Sequence, residues 1–128
     1  MVIADMISII TPVFNEEKNI KYFLSTLGSL DGDFELIMVD GGSSDRTVEA
    51  VQKCIDNFHH KILLLISERG RAVQMNKGAK MAQGDILLFL HVDCVLDKDA
   101  LTIIEKVKYD NNIAGGVSNR HFPIPVFS

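Results

Sequence analysis

The stretch Ile86-Leu87-Leu88-Phe89-Leu90-His91-Val92-Asp93 places five consecutive apolar residues directly before a His-x-Asp pair. An apolar run without polar alternation is typical of a strand buried on both faces, as in a parallel sheet. Ligands of open parallel sheets bind just beyond the carboxyl ends of the strands. If the chain stays extended there, His91 and Asp93 point to the same side. Asp93 is then a candidate ligand for a hard divalent cation, whereas the structural alternative is a helix-capping aspartate beside a half-buried histidine.

Two further apolar runs end in polar loops in the same way. Residues 7–10 lead into Thr11-Pro12-Val13-Phe14-Asn15-Glu16-Glu17, and residues 36–39 lead into Asp40-Gly41-Gly42-Ser43-Ser44-Asp45. If the three strands are parallel, their polar ends meet along one edge of the sheet. Carboxylates at all three ends favour a binding site, because a purely structural pattern does not require them.

The acidic residues in these loops also have structural interpretations. Glu16 is typical of the first turn of a helix, where a negative charge complements the helix dipole. The turn after Asp40 is compatible with a plain strand-to-helix connection, in which Ser43, Ser44 or Asp45 caps the helix. The residues alone leave both interpretations open at each position.

The rest of the chain alternates between strand and helix patterns. Such alternation predicts right-handed crossovers and a three-layer α/β/α sandwich with a mainly parallel sheet. The predicted strands are residues 6–10, 34–39, 62–67 and 85–90, with a weaker fifth at 113–117. Apolar residues at helical spacing form four stripes: Ile20, Phe23, Leu24, Leu27 and Leu30; Val48, Val51, Ile55 and Phe58; Ala72, Met75, Ala79 and Ala82; and Ala100, Leu101, Ile104 and Val107.

Composition limits the class of protein. With 128 residues, 47% of them hydrophobic, the chain is expected to form one domain, residues 1–128, with a substantial core. A net charge of −4 and a pI near 5.5 argue against a nucleic-acid surface. Cys54 and Cys94 are too few for a disulfide framework, and no apolar run approaches the length of a membrane span. The expected compartment is the cytoplasm.

The last residues of the sequence are unusually apolar for a chain end. Val117, Phe122, Ile124, Val126 and Phe127 lie in a segment interrupted by two prolines, which cannot continue a helix. This pattern predicts that the segment packs against something else. We expect either a longer protein, of which this chain is a truncated part, or a partner chain such as a second copy in a homodimer.

Several nucleotide-binding patterns are absent at the strand ends. The loop at residues 11–15 is not the Gly-x-Gly-x-x-Gly of a dinucleotide fold, and the chain has neither a P-loop nor a Gly-x-Ser-x-Gly elbow. What remains is a nucleotide whose base and ribose meet carboxylates and whose diphosphate meets a metal and basic residues. Arg69-Gly70-Arg71 can supply positive charge beside a helix N-terminus, although a surface charge is the simpler interpretation of Arg69.

Four motifs, taken in order, resemble those of family 2 glycosyltransferases with the GT-A fold. The resemblance spans about residues 7–97, and it is closest to a small bacterial subgroup that reads Gly-Arg-Ala-x-Gln-Met-Asn and ends its fourth strand in Leu-His-x-Asp. It implies a nucleoside diphosphate sugar donor, a Mg²⁺ or Mn²⁺ cofactor and transfer with inversion to an acceptor hydroxyl. The motifs are residues 11–17, residues 39–47, Gly70-Arg71-Ala72 with residues 76–79, and Gly84-Asp85 leading to His91-Val92-Asp93.

The resemblance also implies roles for residues of the first two loops. Pro12 and Glu16 match the loop that lines the base and ribose. Asp40 matches the aspartate that accepts a hydrogen bond from the imide N–H of uracil, which favours a UDP-type donor. Ser43 is a neighbouring loop contact of low specificity.

The later motifs supply the donor-facing and metal-binding positions. Arg71 and Asn76 fall where the family places donor-facing residues, and Asp93 matches the last aspartate of Asp-x-Asp, the metal ligand. His91 departs from the family pattern, because it replaces the first aspartate of that motif. Imidazole is a softer, neutral ligand, so we expect His91 to contact ribose or phosphate and Asp93 to hold the metal.

A second departure concerns the general base of the transfer reaction. Nothing after Asp93 resembles the later acidic motif that supplies this base, so its identity is unknown and the acceptor-side part is expected to be missing. The acceptor, whether saccharide, lipid or small molecule, is unspecified, and peripheral membrane contact is compatible with the sequence. The alternative is a non-catalytic nucleotide-binding or assembly module that docks a partner through its C-terminal segment.

Overall fold

The structure, a computed structural model, describes residues 6–111 and 126–127. It contains a five-stranded sheet with strand order β3-β2-β1-β4-β5. The strands are β1 (Ile7–Val13), β2 (Phe34–Asp40), β3 (Ile62–Ile66), β4 (Ile86–Phe89) and β5 (Val126–Phe127). The helices are α1 (Glu17–Gly28), α2 (Thr47–Ile55), α3 (Arg71–Met81) and α4 (Ala100–Asn111).

The predicted parallel sheet is confirmed. The first four strands pair in parallel, and each corresponds to a predicted strand to within a few residues. The predicted fifth strand at residues 113–117 lies outside the described residues. β5 pairs antiparallel to β4, so the backbone of Val126 and Phe127 has a partner within the chain, and the prediction that the C-terminal segment packs against a longer protein or a partner chain stays a prediction.

Helices cover both faces of the sheet, which confirms the three-layer α/β/α arrangement. The larger core cluster joins one face of the sheet to α1, α2 and α4, and the smaller joins the other face to α3. None of the helices in the described part of the chain is long and apolar enough to cross a membrane. The predicted stripe of α1 is confirmed, since all of its members are buried: Ile20, Phe23, Leu24, Leu27 and Leu30.

The stripe predicted for α3 is wrong in part. Ala72 is exposed, and the buried residues of this helix are Gln74 and Gly78, with Ala79 and Ala82 packing against the smaller cluster. A Cβ added to Gly78 would lie 2.6 Å from Cγ2 of Ile10 and 3.1 Å from Cγ2 of Val39. The helix therefore lies directly on β1 and β2, at a distance that only glycine permits at this position.

A buried carboxylate fixes the opposite end of the sheet, away from the strand ends that hold the polar loops. Glu35 accepts a hydrogen bond from the Ser8 hydroxyl at 2.6 Å and from the Gln83 amide at 2.7 Å. The Ser8 hydroxyl accepts in turn from the amide of Gly84 at 2.8 Å. These bonds hold the connection from α3 to β4 against the sheet, which sets where both elements lie.

We expect Gly78→Ala to destabilise the protein. Overpacking against Ile10 costs about 1–3 kcal/mol, and the higher helix propensity of alanine returns only about 1 kcal/mol. The matched control is Gly28→Ala in α1, where the new Cβ would lie 3.7 Å from its nearest neighbour, an ordinary contact. Urea unfolding measures both variants, and a Gly78→Ala protein as stable as Gly28→Ala would contradict the close approach of α3.

Candidate functional site

The carboxyl ends of three parallel strands coincide in register. Val13, the last residue of β1, pairs with Asp40, the last of β2, which pairs with Ile66, the last of β3. The first loop (residues 14–16), the second loop (residues 41–46) and the basic loop (residues 67–70) therefore leave the sheet side by side. A cavity of about 280 Å³ opens there, lined by Pro12, Val13, Phe14, Glu16, Arg69, Gly70, Arg71, Gln74 and His91.

Asn15 joins the first and second loops. Its side-chain oxygen accepts a hydrogen bond from the backbone amide of Ser44 at 2.8 Å, and its backbone amide donates to the Ser43 hydroxyl at 2.8 Å. Asn15 has a φ of 51°, a left-handed conformation that asparagine tolerates better than most residues. The Thr47 hydroxyl adds a third link by accepting from the Glu16 amide at 2.8 Å.

Asp40 holds the second loop in its turn. The residue is 2% exposed, and its Oδ2 accepts hydrogen bonds from the amides of Gly42 and Ser43, both at 2.9 Å. Its Oδ1 accepts from the Ser43 hydroxyl at 2.5 Å. Asp40 and Ser43 therefore do have a structural role, because they stabilise the turn that follows β2. A carboxylate has about four acceptor positions, so Oδ1 keeps an unused lone pair, although Asp40 is not among the residues that line the cavity.

Asp45 lies near the end of the second loop and bonds to the start of α2. Its carboxylate accepts from the amide and the hydroxyl of Thr47, and from the amide of Glu17 in the neighbouring helix. Desolvation pushes the pKa of Asp45 upward, but these hydrogen bonds outweigh it and hold that pKa below its ordinary value. Of the three capping candidates, Asp45 is the residue that bonds to the first turn of α2.

Glu16 brings an unsatisfied acceptor to the cavity. Its side-chain oxygen Oε2 is buried and has no hydrogen-bond partner among the residues that the structure describes. Buried polar atoms are nearly always hydrogen-bonded in folded proteins, because leaving one unpaired costs about 1–3 kcal/mol. An unpaired carboxylate oxygen beside a cavity is therefore placed to accept a hydrogen bond from a ligand.

The basic loop provides cations at the same cavity. Both Arg69 and Arg71 line it, and the guanidinium carbon of Arg69 lies 4.0 Å from the centre of the Phe14 ring. This stacking is a cation–π contact, so Arg69, although exposed, is held beside the cavity. Gly70, between the two arginines, has a φ of 151°, a conformation that glycine permits at the start of α3.

Sequence reasoning missed Gln74, which is 4% exposed and lines the cavity. Its amide bonds to the ends of β1 and β2 and to the basic loop. The predicted stripe assigned Ala72, Met75, Ala79 and Ala82 to the sheet, so the available signal was the glutamine of the motif Gly-Arg-Ala-x-Gln-Met-Asn. Lys77, one turn further along α3, donates to the carbonyl of Ile66 at the end of β3.

His91 and Asp93 lie in a turn, so the expectation of an extended chain is wrong. β4 ends at Phe89, and the Cys94 amide bonds to the His91 carbonyl at 2.9 Å. The two side chains nevertheless meet, with His91 Nδ1 3.3 Å from Asp93 Oδ2. His91 lines the main cavity, whereas Asp93 lines an adjacent cavity of about 210 Å³ formed with α1.

The donor set available for a metal is small. Among the described residues no group of three or more His, Cys, Asp or Glu side chains is arranged to hold a metal ion. The Asp93 side chain is 66% exposed, so its carboxylate is accessible. Mg²⁺ is typically bound by one or two carboxylates, with substrate phosphates and water completing its shell. Asp93 fits that kind of site, with His91 beside it.

The predicted site residues thus fall into four groups. Pro12, Glu16, Arg71 and His91 line the cavity, while Asp40 ends β2 and bonds to Ser43 in the adjoining second loop. Asp93 lies beside the cavity, next to His91. Asn76 is exposed, two residues along α3 from buried Gln74, and it is not part of the cavity lining.

Comparison with known proteins identifies related sequences. The model of the family described as "Glycosyl transferase family 2" matches residues 8–124. An uncharacterized glycosyltransferase of Haemophilus influenzae is 36% identical over 98 residues, which cover 75% of this chain and 39% of that protein. The chain spans only about a third of the length of the curated relatives that it matches.

Solved structures show the same architecture. The mannosyltransferase PcManGT from Pyrobaculum calidifontis, in complex with GDP-Man and Mn²⁺, matches 91% of this chain and 36% of its own, with a TM-score of 0.82 at 24% identity. TarS 1–349 of S. aureus, in complex with UDP-GlcNAc, matches 92% of this chain and 37% of its own, with a TM-score of 0.71 at 27% identity. The fold is therefore the GT-A fold.

The lowered pKa of Asp45 predicts a pH-dependent contribution to stability. A carboxylate whose pKa is depressed by folding stabilises the protein above its unfolded-state pKa, about 4, and loses that effect as pH falls through the folded-state value. We therefore expect Asp45→Asn to lower the free energy of unfolding at pH 7 and to differ progressively less from the parent protein below about pH 4.

Urea unfolding between pH 7 and pH 3 measures this difference. The control is Asp33→Asn, which changes an exposed aspartate between α1 and β2. A penalty for Asp45→Asn that stays constant over the whole pH range would contradict the role of the charged form.

Proposed function

The chain belongs to glycosyl transferase family 2, and we propose that it forms the donor-binding part of an inverting glycosyltransferase that uses a UDP-type sugar donor and transfers the sugar to an acceptor hydroxyl. The observation that supports this most strongly is the pairing of opposite charges in one cavity. The unpartnered Oε2 of Glu16 lies beside a cavity that Arg69 and Arg71 also line. A nucleoside diphosphate has hydroxyl and N–H donors at one end and anionic oxygens at the other, so it complements both.

The carboxylate side of the cavity fits the nucleoside. Ribose hydroxyls can donate to the unpaired oxygen of Glu16, which removes the cost of leaving that oxygen unsatisfied. Asp40 Oδ1 can accept from the imide N–H of uracil with its remaining lone pair. The two similar structures hold donors with different bases, UDP-GlcNAc and GDP-Man. The shared fold therefore does not select the base, and the proposed preference for uridine depends on Asp40.

The basic side fits the diphosphate. Arg71 is the first residue of α3, where the helix dipole and free backbone amides favour anions. During transfer, negative charge grows on the departing diphosphate, and arginines already in position stabilise it without reorganisation. Arg69, which stacks on Phe14, places a second cation at the same cavity.

Asp93 would hold a divalent cation, with the diphosphate oxygens and water as the other ligands and His91 contacting phosphate or ribose. When bound, Mg²⁺ or Mn²⁺ neutralises charge on the leaving diphosphate. PcManGT is described in complex with Mn²⁺.

No residue of this chain is assigned as the general base, which we expect from an acceptor-side part of the complete enzyme. The expected compartment is the cytoplasm, since Cys54 and Cys94 form no disulfide.

The first test is the choice of nucleotide. By calorimetry with Mn²⁺ present, we expect UDP to bind more tightly than GDP or ADP. We expect Glu16→Gln to weaken UDP binding by about 1–3 kcal/mol, because a carboxylate is the stronger acceptor. The control Glu17→Gln alters the exposed neighbouring carboxylate and should leave affinity unchanged. Equal affinities for the three nucleotides would contradict the assignment of uridine.

The second test separates the roles of Asp93 and His91. Asp93→Ala should abolish the dependence of UDP affinity on Mn²⁺, because it removes the proposed metal ligand, whereas His91→Ala should weaken UDP binding but keep that dependence. The control Asp85→Ala removes an exposed carboxylate just before β4, at the opposite end of the strand. If Asp93→Ala retains the Mn²⁺ dependence and His91→Ala loses it, the two roles are reversed.

A further inference from the structure

Gln74 is a buried polar residue that uses both ends of its amide. The Nε2 group donates to the carbonyl of Val13 at 3.0 Å and to the carbonyl of Val39 at 2.8 Å. The Oε1 atom accepts from the amide of Gly70 at 3.1 Å. One side chain of α3 thereby bonds to the ends of two strands and to the basic loop.

These partners lie where the chain turns toward the cavity. Val13 is the last residue of β1, and its carbonyl also accepts from the amide of Gly41 at 3.0 Å. Val39 directly precedes Asp40, and Gly70 lies between the two arginines. A Cβ added to Gly41 would lie 2.8 Å from Gln74 Oε1, so the second loop passes in close contact with the same amide.

We infer that Gln74 is a positioning residue for nucleotide binding, because it fixes the first loop, the second loop and the basic loop relative to one another. Its two N–H donors bond to the strand ends that lead to Glu16 and Asp40, and its acceptor bonds to the loop of Arg69 and Arg71. A ligand that contacts carboxylates and arginines together needs both at a set separation, and preorganisation of that kind increases affinity. The role depends on the proposed nucleotide binding.

The amide group is specifically suited to this position. Glutamate has nearly the same shape and can still accept from Gly70, but its ionised carboxylate cannot donate to the carbonyls of Val13 and Val39. Methionine fills similar volume and makes none of these hydrogen bonds. Gln74→Glu therefore removes only the two donated hydrogen bonds, whereas Gln74→Met removes all three hydrogen bonds of the side chain.

The first measurement is amide hydrogen exchange in the ligand-free 128-residue chain. For Gln74→Met we expect the amide of Gly70 to exchange about tenfold faster or more, because it loses its acceptor. The amide of Gly41 should also exchange faster, because Gln74 no longer holds the Val13 carbonyl to which it bonds. For Gln74→Glu, Gly41 should exchange faster while Gly70 stays protected. The matched control is Gln52→Glu, at an exposed position of α2. Unchanged exchange of both glycine amides in both Gln74 variants would overturn the inference.

The second measurement is the affinity for UDP with Mn²⁺ across a pH series, at a temperature where every variant is folded. Both Gln74 variants should bind about tenfold more weakly or worse at neutral pH. The deficit of Gln74→Glu relative to the parent at the same pH should shrink in acid, because a protonated carboxyl regains an O–H donor. The deficit of Gln74→Met should stay constant. A residue needed only for stability would lower Tm and leave both affinities unchanged, which would overturn the inference.

The two proposals fail in different ways. If the parent chain binds no nucleoside diphosphate, the proposed function is wrong, and the exchange of Gly70 and Gly41 still decides whether Gln74 organises the three loops. If the parent binds UDP and Gln74→Met binds it equally well, the proposed function stands and the role of Gln74 is wrong.

Discussion

The parallel pairing that ends β1, β2 and β3 at one level is the constraint on which the rest of the structure depends. Val13, Asp40 and Ile66 are neighbours across the sheet, so the three following loops leave it together. A parallel sheet ends its strands without hairpin turns, and the carbonyls at that edge need other partners. Gln74 and Lys77 of α3 supply partners for Val13, Val39 and Ile66. The close approach of α3 at Gly78 makes these bonds possible.

The polar groups at this edge differ in how completely they are satisfied. Asp40, Ser43, Asn15 and Asp45 form a closed network that gives the first two loops their shape. Glu16 lies beside that network and keeps one buried carboxylate oxygen unpaired. A rigid set of loops with one unsatisfied acceptor is the arrangement expected where a ligand completes the hydrogen bonding.

The charge of the site differs from the charge of the chain. The net charge is −4, which by itself disfavours anionic ligands. On one side of the cavity, opposite Glu16, Arg69, Arg71 and the start of α3 produce a local positive field, and local fields govern binding at short range. Stacking on the Phe14 ring holds the guanidinium group of Arg69 beside the cavity.

The sequence by itself determined the α/β class, the four parallel strands and the edge at which polar residues collect, because strand burial and helical periodicity are local properties. It also predicted Glu16, Arg71 and His91 as site residues, and all three line the cavity. Only the tertiary structure decided that Gln74 bonds to Val13 and that His91 and Asp93 meet in a turn. The first feature is a contact between segments that are 61 residues apart in the chain. The second depends on the residue at which the pairing of β4 ends. Local patterning encodes neither.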